Sequence, residues 1–84
     1  MDPQATWTEM LEALAARDWD TADERGRALL AWLDSGGFPP VTVGPPELGN
    51  QWHRDAAAHI ALLAVARARN ARRNEGRTGP RFSA

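Results

Sequence analysis

The residues with chemistry to offer are two histidines and a cluster of arginines, all in the second half of the chain. His53 and His59 are six apart, which points them to different sides of a helix. Asp55 and His59, at i and i+4, can meet on one side. Two such groups make no zinc site, which takes three or four protein ligands. With no Cys in the chain, disulfides and thiolate metal sites are excluded. Lys and Tyr are absent as well. Ser35 abuts a Gly-Gly pair and Ser83 lies near the C-terminus, neither with a base close in sequence. The stretch Gly44-Pro45-Pro46-Glu47-Leu48-Gly49 cannot cradle a phosphate, because prolines stand where backbone N–H donors are needed. These residues predict no enzyme, no metal and no cofactor, and they point to no small-molecule substrate.

The arginines remain. Arg67, Arg69, Arg72, Arg73, Arg77 and Arg81 could neutralise phosphates, which makes RNA or DNA a candidate partner. Only Phe82 is near as a base-stacking aromatic, and no recognition motif accompanies the cluster. A second acceptor lies in the chain itself. Nine acidic residues face three Arg up to Asn50, and seven Arg face two acids after it, for a net charge of -1. The basic end can therefore be answered by the acidic half of the same fold.

The element that must carry these side chains is the stretch Asn50 to Asn74. It contains neither Gly nor Pro, and its centre, Ala56 to Ala66, is uncharged and rich in Ala and Leu, strong helix formers. A single helix over 50–74 is predicted, roughly 36 Å long. Trp52, Ala56, His59, Leu63 and Ala66 form one stripe on its wheel, widened by Ile60 and Ala64, and this is the side expected to meet the rest of the fold. Ala58, Leu62 and Val65 lie on another side, among Arg54, Arg69 and Arg72. An apolar patch rimmed by charge usually marks a binding surface. Ala58, Leu62, Val65, Arg54 and Arg69 are therefore the candidate interface residues.

Ahead of that helix the chain predicts an antiparallel hairpin. The first helix is expected over about 6–17, with Thr6 and Glu9 spaced as a capping box and an earlier start offered by Asp2-Pro3. Trp7, Met10, Leu11 and Leu14 form its apolar stripe, with Glu9, Glu12, Ala13 and Ala16 facing away. The second is expected over about 20–35, capped by Asp18 or Asp20 and stopped by Gly36-Gly37. Its buried face reads Ala22, Gly26, Leu29, Leu30 and Leu33. Gly26 weakens a helix interior by roughly 1 kcal/mol against Ala, so its place on that face predicts close approach of another helix.

Asp18, Trp19, Ala22 and Leu30 fall in an Asp-aromatic-x-x-Ala-(x7)-Leu pattern. In this the hairpin resembles one unit of the tetratricopeptide repeats, with Gly26 where that family prefers an aromatic and Met10 where it prefers a small residue. The resemblance covers under half of the chain and implies an antiparallel helical hairpin and a protein-binding role. The wording from Trp19-Asp20 to Gly36-Gly37-Phe38-Pro39-Pro40 is also similar to short bacterial proteins, from which no activity carries over.

The connection over 37–49 holds four prolines, which rule out helix and favour extended geometry. Phe38, Val41 and Val43 are expected to pin it to the core. Its proline pairs lack the P-x-x-P spacing of an aromatic-groove ligand. Residues 76–84, with Gly76, Gly79 and Pro80, read as a frayed tail after a single domain of residues 1–75. The first residues carry no basic and apolar leader, and no apolar run reaches the ~20 residues that span a bilayer. The whole predicts a cytoplasmic all-α domain of three helices with no membrane contact. Its expected role is an interaction or assembly module with a protein partner or with itself, and nucleic-acid binding is the alternative.

Overall fold

The computed structural model describes residues 1–76, with side chains to Asn74. Among these residues there are three helices and no strand: α1 (Pro3–Ala16), α2 (Trp19–Asp34) and α3 (Asn50–Gly76). A single 3₁₀ turn, Pro46–Leu48, precedes α3. This is the all-α, three-helix architecture expected of the chain. The tail lies, past Gly76, outside the described residues, and Arg77 and Arg81 with it. No described helix is long and apolar enough to cross a membrane.

Helix α1 takes its earlier start. The Asp2 carboxylate accepts the N–H groups of Gln4 and Ala5 at 3.0 and 3.1 Å, and Pro3 fills the first position, where no N–H is needed. Thr6 is no cap; its hydroxyl donates back to the Asp2 carbonyl at 3.0 Å. The hairpin turn is two residues long. Arg17 stands left-handed at φ 59°, a conformation that costs an L-residue roughly 1–2 kcal/mol. It persists because the Arg17 and Asp18 amides satisfy the Leu14 and Ala13 carbonyls at the end of α1. Asp18 then caps α2 through Thr21 N–H at 3.3 Å. At the far end Gly36 adopts φ 92°, and the Gly36 and Gly37 amides close the same motif on Leu33 and Trp32. Helix α3 opens on the Gly49 carbonyl, which accepts from His53 N–H at 3.2 Å, so the expected cap at Asn50 is displaced by one residue.

The core is made of a few large side chains set among small ones. Met10 and Leu29 are fully buried, and Trp7 and Leu33 nearly so. Against them α3 presents Ala57, Ala61, Ala64 and Ala68, all fully buried, with Val65 beside them. Gly26 explains that choice. A Cβ built there would lie 2.9 Å from Val65 Cγ2 and 3.3 Å from the Ala61 carbonyl oxygen. The α2 and α3 backbones approach closely at Gly26, as the sequence predicts; Val65 fills the space that the missing side chain leaves, and alanines make up the rest of the facing side of α3.

That requirement turns α3 round from its expected orientation. Trp52, His59, Leu63 and Ala66 were expected to face the hairpin, but they are exposed, and only Ile60 and Ala64 of that set pack inward. Helix α1 keeps most of its expected face, with Trp7, Met10 and Leu14 on the core, and departs from it at two positions. Ala13, expected outside, is buried, while Leu11 is 39% exposed. On α3, packing follows close approach of the backbones rather than side-chain size.

The Pro-rich connection is held by the burial of Pro40 and by polar side chains, and not by the apolar anchors expected of it. Phe38, Val41 and Val43 are 63%, 40% and 54% exposed, which removes them as core anchors. Gln4 instead clamps both backbone groups of Val41, accepting its N–H at 2.9 Å and donating to its carbonyl at 3.1 Å. The Trp32 indole donates to the Phe38 carbonyl at 2.7 Å, and the Trp52 indole to the Val43 carbonyl at 2.8 Å. A chain with this many prolines has few N–H donors of its own, so its carbonyls look outward for partners.

Candidate interaction surface

His53 is the one histidine that α3 buries, at 3% exposure. The Thr42 amide donates to its Nδ1 at 3.0 Å, and the Thr42 hydroxyl sits 2.9 Å from the same nitrogen. An amide can only donate, so Nδ1 is the acceptor and Nε2 carries the ring proton. Nε2 then donates to the Pro45 carbonyl at 2.9 Å. His53 is a structural clasp between α3 and the connection. His59 faces the other way, as its spacing predicts. Its Nδ1 donates to the Asp55 carbonyl at 2.7 Å, within its own helix turn. Among the described residues no three His, Asp or Glu side chains gather in a way that could hold a metal.

The five candidate interface residues separate. Val65 is buried at 8% exposure against Gly26, so it is core and not surface. Ala58 is half-buried and packs on the core cluster. Arg54 reaches across to α2 and donates to the Leu33 and Gly37 carbonyls, both at 2.8 Å. It thereby adds a second donor to the Leu33 carbonyl, at the negative dipole end of α2, and ties that end to Gly37 just beyond it. Leu62 and Arg69 alone are exposed.

The arginine cluster is likewise divided. Arg72 pairs with Asp20 at 3.0 Å and Asp23 at 3.2 Å, joining α3 to the start of α2. Arg67 lies over the Trp19 ring, 5.9 Å from its centroid. Arg69 and Arg73 are exposed. The acidic half of the fold therefore does answer part of the basic end. Burial pushes the Asp23 carboxyl up, but the hydrogen bonds and charges of Arg27 and Arg72 outweigh it and hold Asp23 below its ordinary 3.8. A carboxylate with a depressed folded pKa stabilises the fold above its unfolded pKa, and that contribution is lost as pH falls through the folded value. Thermal stability is expected to drop as pH falls below about 4. Arg72→Gln should make the drop shallower, read as melting temperature against pH. Equal slopes in the two proteins would show that Asp23 is not coupled to Arg72.

Apart from Leu62, the surface left uncovered is the one expected to be core. Leu63 is 63% exposed, Leu62 57% and Trp52 49%. Ala56 and Ile60, half-buried, line a shallow groove between Trp52, Asp55 and His59. Trp52, Leu62 and Leu63 make an outward apolar face on α3, nearly opposite the alanines that meet the hairpin, with Ile60 at its inner border against the core. Exposed Leu48 and Val43 extend it past Trp52 onto the connection. Sequence reasoning found Leu62 and missed Trp52 and Leu63, which it assigned to the interior. The signal that separates them is Gly26, whose close approach calls for small residues opposite and so sends the large ones outward.

No family model, curated protein or solved structure matches the chain.

Proposed function

We propose that this chain is a small cytoplasmic interaction or assembly module without catalytic activity, and that the outward face of α3 is its docking element. The carrying observation is that Trp52, Leu62 and Leu63 are each about half or more exposed on one side of a helix whose other side is already packed. Isolated exposed apolar residues are ordinary, but a contiguous set along one helix face is a binding surface. A helix offering such anchors at helical spacing fits a groove or another helix. The resemblance of the hairpin to a tetratricopeptide unit points the same way. Nucleic-acid binding draws less support, because Arg72 is paired with Asp20 and Asp23 within the fold, which leaves Arg67, leaning on Trp19, with Arg69 and Arg73 as the exposed arginines of the described cluster.

The test is position-specific cross-linking in cells. A photoreactive residue in place of Leu63 should give a covalent adduct of discrete mass. One in place of Ala28, exposed on α2, should give none. Equal labelling from both positions, or none from position 63, would remove this reading.

A further inference from the structure

The uncovered side of α3 is patterned as well as apolar. Trp52, Ala56, His59, Leu63, Ala66 and Asn70 succeed one another in steps that alternate four and three. That alternation keeps a single seam along a helix, as in a coiled coil. Leu62 borders the middle of the seam on its more exposed edge. Asp55 and Arg69 stand on the same edge, seven residues to either side of Leu62. Both are exposed, and neither has an ion-pair partner in its own chain among the described residues.

Resting on the reading of this face as a docking surface, we infer that its occupant is a second copy of the chain. The two α3 helices run antiparallel across a two-fold axis, with Leu62 opposite Leu62. Because Asp55 and Arg69 are equidistant from Leu62, that one arrangement sets Asp55 against Arg69 of the second copy and Arg69 against its Asp55. A two-fold contact must be self-complementary, and this edge is. A parallel pair would instead bring Asp55 beside Ile60 and Arg69 beside Asn74 of the other copy, matching neither charge. Ala56 and Ala66 are the small positions of the seam and allow close approach, while Leu63 packs against His59 of the second copy. The hairpin of each copy lies on the far side of its α3 and does not obstruct the contact.

Sedimentation equilibrium of the purified protein tests this. The wild type should move from its 9.2 kDa monomer to twice that mass between about 1 and 100 µM, the concentrations that report a micromolar Kd. Leu62→Glu should stay monomeric with unchanged helical circular dichroism. Asp55→Arg and Arg69→Asp should each weaken the dimer by roughly tenfold, since each replaces two attractions by two repulsions. The combined Asp55→Arg/Arg69→Asp protein should recover wild-type affinity within about threefold, as reversed pairs are attractive again. A wild type that remains 9.2 kDa throughout, or a combined variant no tighter than the single ones, would overturn the antiparallel dimer. If the cross-link from position 63 then joins this chain to a different protein, the docking surface stands and only its self-pairing falls. With no adduct at position 63, both fall.

Discussion

Gly26→Leu is expected to lower the free energy of unfolding by ~1–3 kcal/mol, the usual cost of forcing atoms into a packed core. The nearest atoms explain why the structure cannot absorb the change. A Cβ at position 26 would stand 2.9 Å from Val65 Cγ2, 3.3 Å from the Ala61 carbonyl oxygen and 3.7 Å from Met10 Sδ. Methionine can adapt, having three rotatable bonds. Val65 cannot, because a β-branched side chain in a helix is held to one rotamer. The Ala61 oxygen moves only if α3 moves. Leucine would therefore part α2 from α3 along the length of the alanine face. The denaturation midpoint should fall while the denaturant slope stays unchanged, which separates lost stability from a changed unfolded state. A midpoint equal to that of the wild type would mean that the two helices are not in contact at Gly26.

His53→Phe is the second large effect. Phenylalanine keeps the ring and its burial but offers neither acceptor nor donor. The Thr42 amide and the Pro45 carbonyl then lose their partners in a partly buried place. Leaving such groups unmade costs about 1–3 kcal/mol, more than the net worth of the bonds themselves. His53→Asn makes the useful comparison. Its side-chain oxygen can take the Thr42 N–H in place of Nδ1, while the bond to Pro45 is lost. The expected order of stability is wild type, then Asn, then Phe, measured by thermal melting. A Phe variant as stable as the wild type would show that the connection is held by its other anchors alone.

How much could be read from residue order depends on where the determining contact lies. Three helices, the hairpin turn and the close approach at Gly26 follow from signals local to each segment: Asp18 as a cap, Gly36 as a stop, Gly26 on an apolar face. The facing of α3 does not, because its apolar residues surround the helix and a size-weighted wheel favours Trp52 and Leu63 for the interior. What decides is a residue on another helix. Gly26 lets backbones meet, so Ala57, Ala61, Ala64 and Ala68 go inside. The anchoring of the connection was hidden for a related reason. Gln4 and Val41 are 37 residues apart, and nothing near either of them announces the other. Of the proposed interface, Leu62 and Arg69 were legible as an apolar residue and a charge on a common side. Arg54 and Val65 were not, since their partners Gly37 and Gly26 lie far back in the chain.

The alanine face of α3 has a thermal consequence. A helix contact made through methyl groups and backbone removes little hydrocarbon from water for each residue ordered, and draws more on dispersion between closely spaced atoms. Heat-capacity change on unfolding tracks the hydrocarbon exposed, at ~12–15 cal/mol/K per residue in ordinary domains. Here it should fall below that range, and calorimetry would read it directly. The curve of stability against temperature is then broad and shallow, so this chain varies little in stability across the range in which a leucine-filled bundle of equal length would show a marked maximum.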